Sequence, residues 1–453
     1  MYPALISKNR SPDSYAARRE RLVRQIRAAK DQVALRKQHS NLFRERSPET
    51  RSRLDVHDFN HVLRVDPGSG WAEAEGMTSY ETLVLSTLAC GVMPAVVPQL
   101  KTITLGGAAA GVGIEATSFR HGLVHQGILE MDILAGNGEI YLCKPGNDHR
   151  DLFFGFANSY GTLGYALRVR TGTIAVKKYV KIAHAHFADP SEYFRALQAA
   201  CDSEVDFVDG IVFGPEDFYL TTGTFVDAAP YLSDYTFEHI YYRSMRERDT
   251  DYLTTHDYLW RWDTDWFWCS KNFGVHNPLI RRLAGKKRLN SLTYTLMMRW
   301  NSRLQLTRWL GAMAGRRSES VIQDVDIPIE RAAEFLDFFQ REIGILPIWI
   351  CPLRSPDTRA IYPLYPLSSS TYVNFGFRDA VRLKTTQFAG HYNRLIERKV
   401  EELGGIKSLY SESFYTREKF DGLYGAAVYR QLKSRYDPNG RLPGLYDKCV
   451  LRK

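Results

Sequence analysis

The chain has 453 residues, enough for two domains with substantial cores, and its 44% hydrophobic and 25% charged content is ordinary for a soluble globular protein. Its six cysteines (Cys90, Cys143, Cys201, Cys269, Cys351, Cys449) are scattered without a C-x-x-C pair, which argues against a disulfide framework or a zinc site and fits a reducing cytosol. There is no apolar run of about eighteen residues and no signal-peptide core, so the expectation is a soluble or peripheral protein.

Charge is unevenly placed. Residues 1–53 carry fourteen Lys and Arg against five acids, which accounts for the whole formal net charge of +9. Tyr15 to Lys30 reads as a helix with Leu22, Ile26 and Ala29 on one face and arginines around the rest. Two readings stand for it: a solvated helix packed on the domain, or a basic surface docking on anionic lipid. Nucleic acid is not expected as a partner, because no aromatic platform interleaves the basic residues. Short strands follow at Gln32 to Lys37, Leu54 to Val56, Val62 to Asp66 and Trp71 to Met77, then a helix from Tyr80 to Cys90.

Pro98 to Gly164 is the densest stretch for chemistry. It places Gly106, Gly107, Gly111, Gly113 and Gly122 close together, and small residues there let backbone approach a ligand without a Cβ in the way. The pattern is not a Rossmann fingerprint, since Gly111-Val112-Gly113 is followed by Ala116 where a third glycine belongs, and there is no G-x-x-x-x-G-K-[ST]. Tight turns in a β-rich region are the bland alternative. Leu129 to Leu134 and Glu139 to Cys143 form a hairpin pattern around Gly136-Asn137-Gly138, and Tyr165 to Ile174 reads as a strand.

Thr104-Leu105-Gly106-Gly107, the Gly111-Val112-Gly113-Ile114-Glu115 turn and Gly161-Thr162-Leu163-Gly164 resemble the flavin domain of the vanillyl-alcohol oxidase / p-cresol methylhydroxylase (PCMH) superfamily. Within it the chain is most similar to the Δ24-sterol reductases, through Val176 to Lys181, Pro347 to Pro352 and Tyr446 to Cys449 in the same order. The resemblance spans about Asp55 to Val450. It implies an α+β fold: a two-part PCMH-type FAD-binding domain over 1–178, an α+β cap over 179–385, and a segment 386–453 packing back on the FAD domain. It implies non-covalent FAD, with contacts at Thr104, Gly106, Gly107, Gly111, Gly113, Ile114, Glu115, Ser118, Gly122, Gly161, Thr162 and Gly164. Where the superfamily has a glycine-rich pyrophosphate loop, this chain has His39 to Arg44 without glycine, so Ser40, Asn41 and Arg44 would bind phosphate by side chain. The sterol reductases carry an N-terminal membrane anchor that is not seen here; the expected location is cytoplasmic, peripheral on the inner face of the membrane.

Residues 180–385 are rich in aromatic residues. Trp260, Trp262, Trp266 and Trp268 fall within nine residues, either as core or as a lipid-facing wall or interfacial anchor. Gln323 to Pro328 and Pro347 to Pro352 resemble cap strands of the sterol reductases, which the resemblance implies face the flavin across the substrate cavity; Tyr372 to Phe377 reads as a further strand, and His391 to Leu403 as an amphipathic helix stopped by Gly404-Gly405.

The chemistry implied by the resemblance is reduction of an isolated carbon–carbon double bond in a lipid, a methylene-branched acyl chain or a sterol side chain, with NAD(P)H as donor. Such an alkene is unpolarised, so hydride delivery needs a positioned acid and gains from aromatic faces near the developing cation. Glu115, Tyr160, His121, Asp324 and Tyr415 are the acid candidates, and Trp349 a stabiliser. A flavin oxidase or dehydrogenase of the same superfamily, an alkyl-glycerone-phosphate synthase-like enzyme without net redox, and a non-catalytic flavin-bound scaffold remain alternatives.

Overall fold

The computed structural model describes residues 14–37, 43–44, 51–304 and 317–453. The first helix runs Tyr15–Ala28, with Ser14 capping it by accepting from the Ala17 N–H at 3.2 Å. It buries Leu22 and Ile26, and Arg18 is drawn inside to pair with Glu75. Arg21 pairs with Asp58 at 3.0 Å, Arg19 approaches Asp132 at 3.9 Å, and Arg27 meets Glu139. These acids come from the domain beneath, which ties the helix down.

Val33–Arg36 and Ser52–Asp55 form a small parallel pair. The first large sheet is antiparallel, in the order Val62–Asp66, Trp71–Glu75, Tyr165–Ala175, Ile128–Leu134, Ile140–Cys143, with Val92–Pro94 added to Tyr165–Ala175. Arg168 on the central strand meets Glu73, Glu130 and Asp132 at 2.5 to 2.7 Å, tying three neighbouring strands by charge-assisted bonds.

The second sheet has eight antiparallel strands, in the order Thr250–Thr254, Tyr179–Phe187, Asp217–Val226, Phe207–Gly214, Ile348–Leu353, Tyr372–Arg382, Ser318–Pro328, Ile406–Lys407. Its side chains alternate between two cores, as period-2 geometry requires. Ile348 and Ile350 face a layer with the helices Pro190–Cys201, Ala332–Glu342 and His391–Glu402, while Trp349, Cys351 and Leu353 face the first sheet.

Two expectations change here. The segment from 386 does not return at once to the flavin half: His391–Glu402 and Ile406–Lys407 belong to the second sheet and its helical layer, because Ile396 and Val400 complete that core. The return begins with the helices Arg417–Leu423 and Ala426–Tyr436, where Leu432 packs at Gly155 and Arg435 pairs with Asp151 at 2.8 Å. The tryptophans 260, 262, 266 and 268 are each at most 4% exposed, so the run is not an interfacial anchor. It is pulled inward by buried polar partners: Arg261 bonds Asp209 at 2.7 Å, Asp263 accepts from Ser291 at 2.5 Å, and Asp265 holds Arg281. Among the described residues no helix is long and apolar enough to cross a membrane.

Candidate active site

A cavity of about 540 Å³ opens between the glycine loops of the first half and the inner face of the second sheet, a size in the range of cofactor and small-ligand sites. Thr104 caps the short helix Leu105–Ala110 by accepting from the Gly107 N–H at 3.3 Å. The N–H groups there are already used: Leu105 donates to Thr78 O, Gly106 to Gly76 O and Ala108 to Thr104 O. These glycines therefore do not cradle an anion with free amides. Gly106 is needed because backbone passes against backbone: a Cβ there would lie 2.8 Å from Gly76 O and 3.2 Å from Ala166 O. Gly164, at φ +152°, has Ile133 and the Leu134 carbonyl in the same role.

Asn158 and Tyr160 take left-handed conformations, φ 60° and 50°, which costs energy and persists where surroundings over-determine it. Tyr160 is held on three sides. Its N–H donates to Ala110 O at 2.9 Å, its carbonyl accepts from Lys448 Nζ at 2.7 Å, and Arg44 lies 5.2 Å over its ring.

The opposite wall comes from sheet register. Trp349 pairs with Gly376 on one side, and Asp324 with Gly376 on the other. All three line the cavity, so the missing side chain at 376 makes a notch between a carboxyl and an indole. A Cβ on Gly376 would lie 2.7 Å from Asp324 Oδ1 and 3.2 Å from Trp349 Cε3. Burial raises the Asp324 carboxyl above its ordinary range, opposed by the Arg378 guanidinium and the Tyr410 hydroxyl. Arg378, two residues along the same face, stands over Phe43 and Phe267 at 5.0 and 5.2 Å, and its buried Nη1 has no hydrogen-bond partner. Phe267 and Trp268 close this end; the left-handed Trp266 and Phe267 turn them toward the cavity.

Of the sequence-derived residues, Arg44, Thr104, Gly106, Gly107, Gly111, Gly113, Ile114, Tyr160, Gly161, Gly164, Asp324 and Trp349 line this cavity. Ser40 and Asn41 lie outside the described residues. Glu115 does not line it. The carboxyl is 2% exposed and 2.8 Å from Arg261, which also holds Asp209. Burial pushes it up to about 7, against the pull of Arg261 and with the help of Asp209. Ser118 accepts from the Glu115 N–H, Thr162 bonds Ser159 O, and Gly122 packs against Gln126 and Pro356, so these three serve the loops and not the cavity. His121 ends a short helix that packs on Ile348–Leu353, away from the cavity; burial, with Arg120 adding, lowers its pKa. Tyr415 is buried in the C-terminal helical cluster, its ring 6.0 Å from Tyr424. None of these is placed to act as the acid.

Sequence reasoning missed Lys37, Arg51, Lys448, Arg452 and Lys453, which line the cavity together with Arg44, and also Arg378 and Tyr410. The Tyr446 to Cys449 segment was itself a signal: a likeness kept in a tail implies the tail has something to touch.

Residues 16–144 match the model of a family described as FAD binding domain. The Delta(24)-sterol reductase of Rattus norvegicus is 26% identical over 417 residues, covering 87% of this chain and 75% of that protein. That of Arabidopsis thaliana is 22% identical over 434 residues, 87% of this chain and 76% of its own length. Cytokinin dehydrogenase 7 of Oryza sativa subsp. japonica is 27% identical over 157 residues, 33% of this chain and 30% of that protein. The chain is an FAD-dependent oxidoreductase. The cavity of this flavoprotein fits its cofactor: among the described residues that line it, Lys37, Arg44, Arg51, Lys448, Arg452 and Lys453 bring positive charge and Asp324 is the one acidic side chain, a balance that suits a diphosphate. Arg44 Nη2 is buried without a hydrogen-bond partner, which an acceptor in the cavity would supply.

Proposed function

We propose that this flavoprotein uses NAD(P)H to saturate an isolated carbon–carbon double bond in a lipid, either a methylene-branched acyl chain or a sterol side chain. The observation that carries the reading is the row Trp349, Gly376, Asp324 across three strands, facing the glycine loops. Similarity to Delta(24)-sterol reductases supports the reaction class. FAD, when bound, supplies hydride chemistry.

The residues supply the rest. Asp324, whose carboxyl burial raises above its ordinary range, delivers a proton to the less substituted alkene carbon. Positive charge then builds on the more substituted carbon, and the indole face of Trp349 beside the Gly376 notch stabilises it. Phe267 and Trp268 keep water from that carbon. Asp324 recovers its proton from solvent between turnovers. Turnover falls as pH rises through the raised Asp324 pKa, because the ionised form cannot donate.

The test is anaerobic. NADPH should bleach the flavin band, and lipid extract should restore it with a two-hydrogen mass gain in one lipid. Asp324→Asn should keep stoichiometric flavin and its bleaching by NADPH, yet slow lipid-driven recovery by about 10²–10⁴-fold. Recovery at the wild-type rate in that variant would remove Asp324 as the acid. A flavin that NADPH never bleaches would overturn the whole reading.

A further inference from the structure

Between Asp265 and Glu319 the sequence has eleven Lys and Arg and not one acid, a second basic concentration that the chain-wide balance conceals. The structure makes part of it a surface. Helix Pro278–Ala284 is capped by Asn277, which accepts from the Leu279 N–H at 2.9 Å. Arg281 is buried and bidentate on Asp265, at 2.6 and 2.9 Å. With Arg281 fixed inward, helical spacing sends Leu279 and Leu283, one turn apart, to the opposite side. They are 71% and 82% exposed, and Ile280 beside them is 43% exposed. Lys286, Lys287 and Arg288 follow, all exposed, and the next helix, Ser291–Leu304, turns Leu292, Leu296 and Met297 outward.

Apolar side chains this exposed, rimmed by charge, mark an interaction surface. A second copy of the chain suits it poorly, since a two-fold dimer would set the same cations against each other. Arg282 and Lys286 have exposed partners, Glu238 at 3.5 Å and Asp234 at 3.8 Å, contacts of little worth in water. An anionic lipid surface offers both apolar depth and opposite charge. Beneath the two helices, Leu289 and Tyr294 share a core with Trp266 and Leu100, and Phe43 and Ile103 pack against it. Leu100, Phe43 and Ile103 also line the cavity.

We propose that Leu279, Ile280 and Leu283, with the Lys286–Arg288 connector, dock the protein on an anionic lipid surface from which its substrate reaches the cavity. The route to the cavity rests on the lipid reading above, whereas the docking is measured without turnover. The experiment is flotation of the FAD-loaded full chain with vesicles of equal phosphatidylglycerol and phosphatidylcholine, against phosphatidylcholine alone. Binding should be about tenfold stronger on the anionic vesicles and weaken with salt. Leu279→Ser with Leu283→Ser should cut it about fivefold with flavin spectrum and melting temperature unchanged. Lys287→Gln with Arg288→Gln should remove the preference for the anionic vesicles.

Equal binding to both vesicles, or binding that survives the leucine variant, overturns the proposal. So does a wild-type dimer that the leucine variant turns into a monomer, because a second copy then covers the face. Lipid turnover in detergent without vesicle binding sinks the docking and leaves the reductase. Vesicle binding without lipid-driven flavin reoxidation supports the docking and sinks the reductase.

Discussion

Glu115 illustrates how far a residue's sequence context can mislead about its role. It sits in the glycine turn, and a buried carboxyl there suits an acid, yet its partner Arg261 lies in the distant aromatic run and draws it away from the cavity. One guanidinium serves two enclosed carboxylates, Glu115 and Asp209, and a proton on Glu115 relieves their repulsion. The sign for stability follows. From the ordinary value of 4.5 up to about 7, the unfolded chain releases this proton while the folded chain keeps it, so stability falls as pH rises. Glu115→Gln should flatten that fall and leave the variant about 3 kcal/mol better relative to wild type at pH 8 than at pH 4. Urea midpoints at the two pH values measure it, and an unchanged difference between variant and wild type would mean Glu115 is ionised throughout. Asp324 was legible because its strand resembled a known cap strand; Arg378 and Tyr410 were not, since neither stands in a motif.

Strands and helices were readable wherever the pattern was local. The apolar face of Tyr15–Ala28 appears in the structure within a residue or two of where periodicity put it, and Ile348–Leu353 is a strand where the resemblance to a cap strand implied one. Pairing was not readable. Nothing local places residue 324 and residue 349 on either side of 376, and the spacings within one strand say nothing of its neighbours. That register makes a testable element. Gly376→Ala puts a methyl 2.7 Å from Asp324 Oδ1 and 3.2 Å from Trp349. The Asp324 side chain can shift, so the fold and flavin should persist, while KM for the lipid should rise about tenfold or more from the filled notch. Steady-state kinetics with the identified lipid check this. An unchanged KM and kcat would mean the alkene does not sit between these two side chains. The glycine loops carry the converse lesson: their density was visible, but its purpose is loop-on-loop packing at Gly76 and Gly106, and cationic side chains face the cavity instead.

Across the whole molecule, the aromatic-rich stretch from residue 180 was visible in composition, whereas the core that joins the two sheets and the C-terminal helices was not. Ala72 and Val169 from the first sheet, Val180 and Trp349 from the second, and Leu432 and Tyr436 from the returning helices belong to one buried cluster. Calorimetry should therefore show a single transition that moves upward with added FAD, by about 2.7 kcal/mol at a hundredfold excess over Kd. Two transitions, only one of them FAD-sensitive, would show the halves to be independent. Continuity of this kind also bears on descent. A second sheet taken from a relative would arrive with an inner face cut to another partner, and every contact across the seam would need matching again. In such a chain new substrate preferences accumulate by single replacements along the inner face, at positions such as Gly376, and exchange of whole units is closed to it.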